Sequence, residues 1–170
     1  MADRLKGKSI LLIDEAYADF AEDNCIPLIK TCENVIVLRS MSKGYSLAGL
    51  RFGYGIASKK LIESLRKVKD SYNVDAISIA AASAAIKDQE YFKKNIEKVK
   101  AERTRLTNEL RKLGFEVTPS QSNFLLAKCK TGKAGKILKD LAARNIYVRY
   151  FSLPGLEDKL RITVGKPQEN

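Results

Sequence analysis

From Arg39 to Arg51 the chain reads RSMSKGYSLAGLR, which places the hydroxyls of Ser40 and Ser42, the amine of Lys43 and the guanidinium of Arg51 on one glycine-containing segment. Hydroxyls and a bidentate guanidinium fork can hold a phosphate, and a neighbouring amine can bond covalently to a carbonyl. For a lone SxSK, a basic loop with incidental serines is the favoured reading. Here it follows DEAY, which begins at Asp14 and ends at Tyr17. An aspartate at a strand end can simply cap the next turn, and Tyr17 can simply be packed. Taken together, the two segments supply what a pyridoxal-phosphate ring needs from one side. An ionised Asp14 keeps the pyridine nitrogen protonated, so that the ring can accept electrons from a carbanion at the substrate's α-carbon. The Tyr17 hydroxyl can hydrogen-bond the ring's phenolic oxygen, and Lys43 can hold the aldehyde and later shuttle a proton.

Other chemistry is removed by what is missing. The chain has no histidine, which excludes Ser-His and Cys-His nucleophile pairs and any imidazole base. The odd set Cys25, Cys32 and Cys129 reads as free thiols, and no metal site is expected. No apolar run approaches the roughly 20 residues of a membrane span, and the start MADRLKGKSILLID lacks a signal-peptide pattern, so a cytoplasmic protein without a membrane partner is expected. The formal charge is +11, which draws anions and suits a nucleic acid or a phosphorylated metabolite. Many of these charges fall in Lys87 to Lys112, where apolar residues recur at spacings of three, four and seven, as on the solvated face of an amphipathic helix. CKTGKAGK at Cys129 to Lys136 lacks P-loop spacing and no RNP-like or helix-turn-helix pattern occurs, so no nucleic-acid partner is expected.

These residues need an α/β scaffold. Ser9 to Asp14 and Asn34 to Leu38 read as strands buried on both faces in a parallel sheet, with room for a short helix around Pro27 between them. Phe52 to Ala57 reads as a third strand. Ser58 can cap a helix running to about Lys69, an alanine-rich helix follows from Asp75 to Ile86, and the long basic helix comes next. Gly114 ends that pattern. Strands are expected at Phe115 to Thr118, Asn123 to Lys128, Ile146 to Tyr150 and Leu160 to Val164, with a helix from about Lys133 to Arg144. The expected division is 1–86 and 87–170.

DEAY followed by SxSKxxxLAGLR resembles the class I/II aminotransferases of the aspartate-aminotransferase fold, and in detail the histidinol-phosphate aminotransferase family. YNVDAIS at Tyr72 to Ser78 is similar to that family's YNVN segment, with Ser71 where the family has proline. SQSNFLLA at Ser120 to Ala127 is similar to its SxxNF strand, and YVRYF with KLRITVGKPQEN, between Tyr147 and Asn170, is similar to its substrate-anion segment. The resemblance spans nearly the whole chain and implies a partial fold-type I transferase. Residues 1–86 would be the second half of the large cofactor-binding domain, and 87–170 the interdomain helix and small C-terminal domain. It implies pyridoxal 5'-phosphate as cofactor, with Asp14 at the pyridine nitrogen, Tyr17 at the phenolic oxygen, Lys43 as the cofactor lysine, and Ser40, Ser42 and Arg51 at the phosphate. Arg161, assisted by Arg149, would take the anionic end of a small amino-acid or phosphorylated substrate.

The implied reaction exchanges an amino group between glutamate and imidazole-acetol phosphate in histidine biosynthesis, carried out by a homodimer. An aromatic amino-acid aminotransferase, a threonine-phosphate decarboxylase-like enzyme, or a catalytically incomplete remnant are the alternatives. The resemblance also implies a comparable length before Met1, with an NPNNPTG-like segment and a ring-stacking aromatic, and a last helix after Asn170. Without them the chain alone is expected to be inactive, with sheet edges left open to association.

Overall fold

A computed structural model describes residues 1–130 and 132–170, which form two compact units, Met1–Asn95 and Ile96–Asn170. The division falls inside the long basic helix.

In the first unit a short helix α1 (Ala2–Leu5) precedes strand β1 (Leu11–Asp14). Two 3-10 turns, Ala18–Phe20 and Ile26–Lys30, take the place of a crossover helix, the second carrying Pro27 as its second residue. Strand β2 (Val35–Ser40) follows, then a 3-10 turn Ala48–Leu50 and strand β3 (Gly53–Ala57). The sheet order is β1-β2-β3, with β1 parallel and β3 antiparallel to β2. Central β2 meets the expectation of burial on both faces: Val35 and Val37 are fully buried and Ile36 nearly so. Each such side chain contributes about 1.5–3 kcal/mol by leaving water. In β1 burial alternates and Leu12 stays 55% exposed, because β1 is an outer strand whose second face is uncovered among the described residues.

Helices α2 (Lys59–Arg66), α3 (Ala76–Lys87) and the start of α4 (Gln89–Lys112) complete this unit. Ser58 does not cap α2 with its side chain as expected; its hydroxyl donates instead to the Glu33 carbonyl at 3.2 Å. Asp75 does cap α3, accepting from the Ser78 N–H at 2.8 Å.

In the second unit Gly114, at φ +89, ends α4 in a conformation that favours glycine. Strand β4 (Phe115–Val117), strand β5 (Phe124–Cys129), helix α5 (Ala134–Ala142), strand β6 (Arg149–Tyr150) and strand β7 (Lys159–Thr163) follow. They build an antiparallel sheet of order β4-β5-β7-β6. Leu106 and Leu110 of α4 pack on Val117, Leu125 and Ala127, while Ala134 of α5 packs with Cys129 and Leu160. Strand β6 starts later than its apolar sequence suggests. Asn145 is left-handed at φ +60, and the Asn145 and Ile146 N–H groups cap α5 by donating to the Ala142 and Leu141 carbonyls.

Candidate active site

Parallel pairing sets Asp14 of β1 opposite Leu38 of β2, so Asp14 and the Ser40–Lys43 segment leave the sheet at the same, carboxyl, end. Ligands of open α/β sheets bind outside the carboxyl ends of their strands. The Asp14 carboxylate is exposed, and one of its oxygens accepts from the Ala16 N–H at 3.0 Å in a tight turn that leads to Tyr17. The capping role open to this aspartate is thus present, and it orients the carboxylate rather than burying it. The Lys43 ammonium lies 5.4 Å from the centroid of the Tyr17 ring, which ties the two segments together in space.

Met41, 1% exposed, anchors the Lys43 loop in the core; its N–H donates to the Phe52 carbonyl at 3.1 Å, and the Leu47 N–H returns to the Met41 carbonyl at 3.0 Å. Within the loop the Ser42 N–H donates to the Ser40 hydroxyl oxygen at 3.1 Å, which leaves the Ser40 hydroxyl proton free to donate elsewhere. Arg51 is exposed and left-handed at φ +53, and its guanidinium donates to the Ala48 carbonyl at 3.0 Å. Ser46 is left-handed too, at φ +57. Non-glycine residues held this way cost about 1–3 kcal/mol each and cluster at functional sites.

Arg149 and Arg161 belong to the second unit, where they are register partners on β6 and β7 and so share one face of the sheet. The Arg161 guanidinium lies 5.1 Å from the Phe124 ring and 6.0 Å from Phe151, and that of Arg149 lies 5.4 Å from Phe151. The Arg161 Nε is buried without a hydrogen-bond partner among the described residues. Two adjacent guanidinium groups on aromatic rings suit an anion. Among the described residues no cluster of His, Cys, Asp or Glu could hold a metal ion, and the three cysteines are free.

The whole chain, residues 1–170, matches the family described as aminotransferase class I and II. It belongs to that family. This aminotransferase chain is 52% identical over 170 residues to histidinol-phosphate aminotransferase 1 of Trichormus variabilis, a match covering 100% of the chain and 48% of the relative. The crystal structure of histidinol-phosphate aminotransferase from Clostridium acetobutylicum superposes with a TM-score of 0.90 at 26% identity, over 99% of this chain and 53% of that one. The Sinorhizobium meliloti histidinol-phosphate aminotransferase, solved in complex with pyridoxal-5'-phosphate, gives a TM-score of 0.83 at 30% identity, over 94% and 45%. The α/β fold is therefore part of the fold-type I aminotransferase fold, and the chain spans about half the length of the relatives it matches.

Six of the eight candidate residues of this aminotransferase chain, Asp14, Tyr17, Ser40, Ser42, Lys43 and Arg51, lie in the first unit; Arg149 and Arg161 lie in the second. Their donor set, an amine with hydroxyls, a guanidinium and an exposed carboxylate, fits an aldehyde-bearing pyridine phosphate. Three further residues had no role assigned from sequence. Arg39, at the end of β2, lies 2.9 Å from Glu15 Oε2 and 3.1 Å from Asp19 Oδ1. The first contact is an ion pair by distance without hydrogen-bond alignment, whereas the second is a hydrogen bond. Glu15 also accepts from the Cys25 N–H. Burial pushes the Asp19 carboxyl up from its usual range, and the Arg39 guanidinium pulls against it. The available signal was an arginine closing an apolar strand in step with two acids flanking Tyr17.

Proposed function

We propose that this chain is the cofactor-carrying half of a transaminase that exchanges an amino group between glutamate and imidazole-acetol phosphate in histidine biosynthesis, with pyridoxal 5'-phosphate held by Lys43. The observation that carries the reading is the Lys43 ammonium over the Tyr17 ring, at the sheet end that also bears Asp14, Ser40 and Ser42. The pyridoxal-5'-phosphate complex of the Sinorhizobium meliloti relative supports it.

When bound, the cofactor supplies an electron sink for a carbanion at the substrate's α-carbon. Asp14 keeps a proton on the pyridine nitrogen, aided by the turn that fixes its carboxylate outward. Tyr17 hydrogen-bonds the phenolic oxygen. Lys43 would hold the cofactor by its aldehyde, and its amine would carry the proton moved at the substrate's α-carbon. The hydroxyls of Ser40 and Ser42 and the charge of Arg51 hold the phosphate. Arg161, whose Nε has no hydrogen-bond partner among the described residues, receives the anionic end of a small amino-acid or phosphorylated substrate, with Arg149 beside it.

For the complete protein the reading includes a cytoplasmic homodimer with no nucleic-acid or membrane partner. Residues 1–86 serve as part of the large domain and 87–170 as interdomain helix and small domain. Among the described residues no helix is long and apolar enough to cross a membrane. The test is to add pyridoxal phosphate, look for visible imine absorbance, reduce with borohydride and map the modified peptide. The label is expected on Lys43 and absent from Lys43→Ala; an identical adduct in that variant would overturn the assignment.

A further inference from the structure

Resting on the reading of Lys43 as the cofactor lysine, we infer that Arg39 is a positioning residue: it bridges Glu15 and Asp19 and so fixes the loop carrying Asp14 and Tyr17 against the segment carrying Ser40, Ser42 and Lys43. The guanidinium fork is split, Nη2 toward Glu15 and Nη1 toward Asp19, and Tyr17 lies midway between these acids in sequence. Arg39 is the residue before Ser40, so one side chain links both halves of the site. The triad is largely out of water, with side-chain exposures of 11% for Arg39, 7% for Glu15 and 12% for Asp19. Screening is weak there, and an unpaired member would be an uncompensated buried charge.

Two more contacts hold the loop to this clamp. The Glu15 N–H donates to the Leu38 carbonyl at 2.9 Å, continuing the β1–β2 ladder by one residue, and buried Phe20 anchors the far end. On the other side Gly44, next to Lys43, lies so close to Asp19 that a methyl built on it would run into the Asp19 carboxylate. The loop is therefore seated directly on the turn that presents the lysine. A lysine at position 39 would keep the charge but lose the fork, since one ammonium is a point charge and cannot span two carboxylates as a planar group does.

Hydrogen exchange and cofactor trapping on the whole chain test this together. Arg39→Met is expected to speed amide exchange about tenfold in residues 15–20 and 42–45, while residues 35–38 of β2 stay protected. It should also cut the borohydride-trapped pyridoxal phosphate on Lys43 by about fivefold, with Arg39→Lys falling between it and the parent. Unchanged exchange in the two loops, or an equal rise throughout β1 and β2, would overturn the positioning role. If Arg39→Met does not fold, Asp19→Ala decides: it removes the acceptor of the Arg39 Nη1 arm and should loosen residues 17–20 alone, and no loosening there overturns the inference. If the parent chain takes no label at Lys43, the cofactor reading fails, while the exchange comparison still decides the clamp.

Discussion

Arg51 and Gly44 make opposite demands on the same loop, one for a charge and one for an empty space. The Arg51 guanidinium is exposed and lightly held by the Ala48 carbonyl, so it can turn to a phosphate at small cost. A hydrogen bond to a charged group contributes about 1.5–3 kcal/mol, so Arg51→Ala should weaken pyridoxal phosphate binding by about 10- to 100-fold. Pyridoxal without its phosphate should bind the variant and the parent alike. Equilibrium dialysis of the two ligands reads this directly, and equal losses would remove Arg51 from the phosphate. Gly44→Ala should lower the thermal midpoint, because its methyl meets Asp19. The loss should be less than additive with that of Asp19→Ala, since the clash and the ion pair share one carboxylate. Lys43, Ser40, Ser42 and Asp14 were legible as a group from residue types alone. Arg39 was not, because an arginine at a strand end has no meaning until its partners are located.

At the scale of elements, α3 depends on its first turn. Hydrogen bonds from the Ser78 hydroxyl and then its amide hold the Asp75 carboxyl below the usual carboxylate range, and the same hydroxyl reaches the Leu50 carbonyl at 3.2 Å. A depressed folded pKa contributes stability that is present above the unfolded value of about 3.9 and is lost as pH falls through the folded value. The thermal midpoint should therefore fall with acidification below about pH 4, and Asp75→Asn, which still caps the helix, should show a shallower fall. A parallel pair of midpoint-against-pH curves would mean that Asp75 does not couple to folding. In the second unit Leu125 is 1% exposed between α4 and its sheet, so Leu125→Ala should cost about 2–5 kcal/mol in urea unfolding. The alternation that marks β5 was visible in the sequence. The shortening of β6 was not, because the end of α5 takes up the Asn145 and Ile146 N–H groups.

Among the described residues, outer strand β1 has one edge unpaired and exposes Leu12, with Ile10 52% exposed just before it. Open edges and uncovered apolar side chains favour association. Light scattering should find self-association that rises with protein concentration, and Leu12→Lys should reduce it by placing a charge on that face. Unaltered association would direct attention to other exposed apolar residues, such as Ile77 on α3, which is 76% exposed.

By itself the sequence determined the family, because DEAY followed by SxSKxxxLAGLR carries the resemblance to the class I and II aminotransferases whose family the whole chain matches. It also determined most elements, since burial imposes periods of two and near 3.6 on any chain that folds. Only tertiary structure decided which strand was buried on both faces, that β3 runs antiparallel to β2, and that Arg39 reaches Glu15 and Asp19. Each of these depends on residues distant along the chain meeting in space, and local propensity and periodicity carry no term for that.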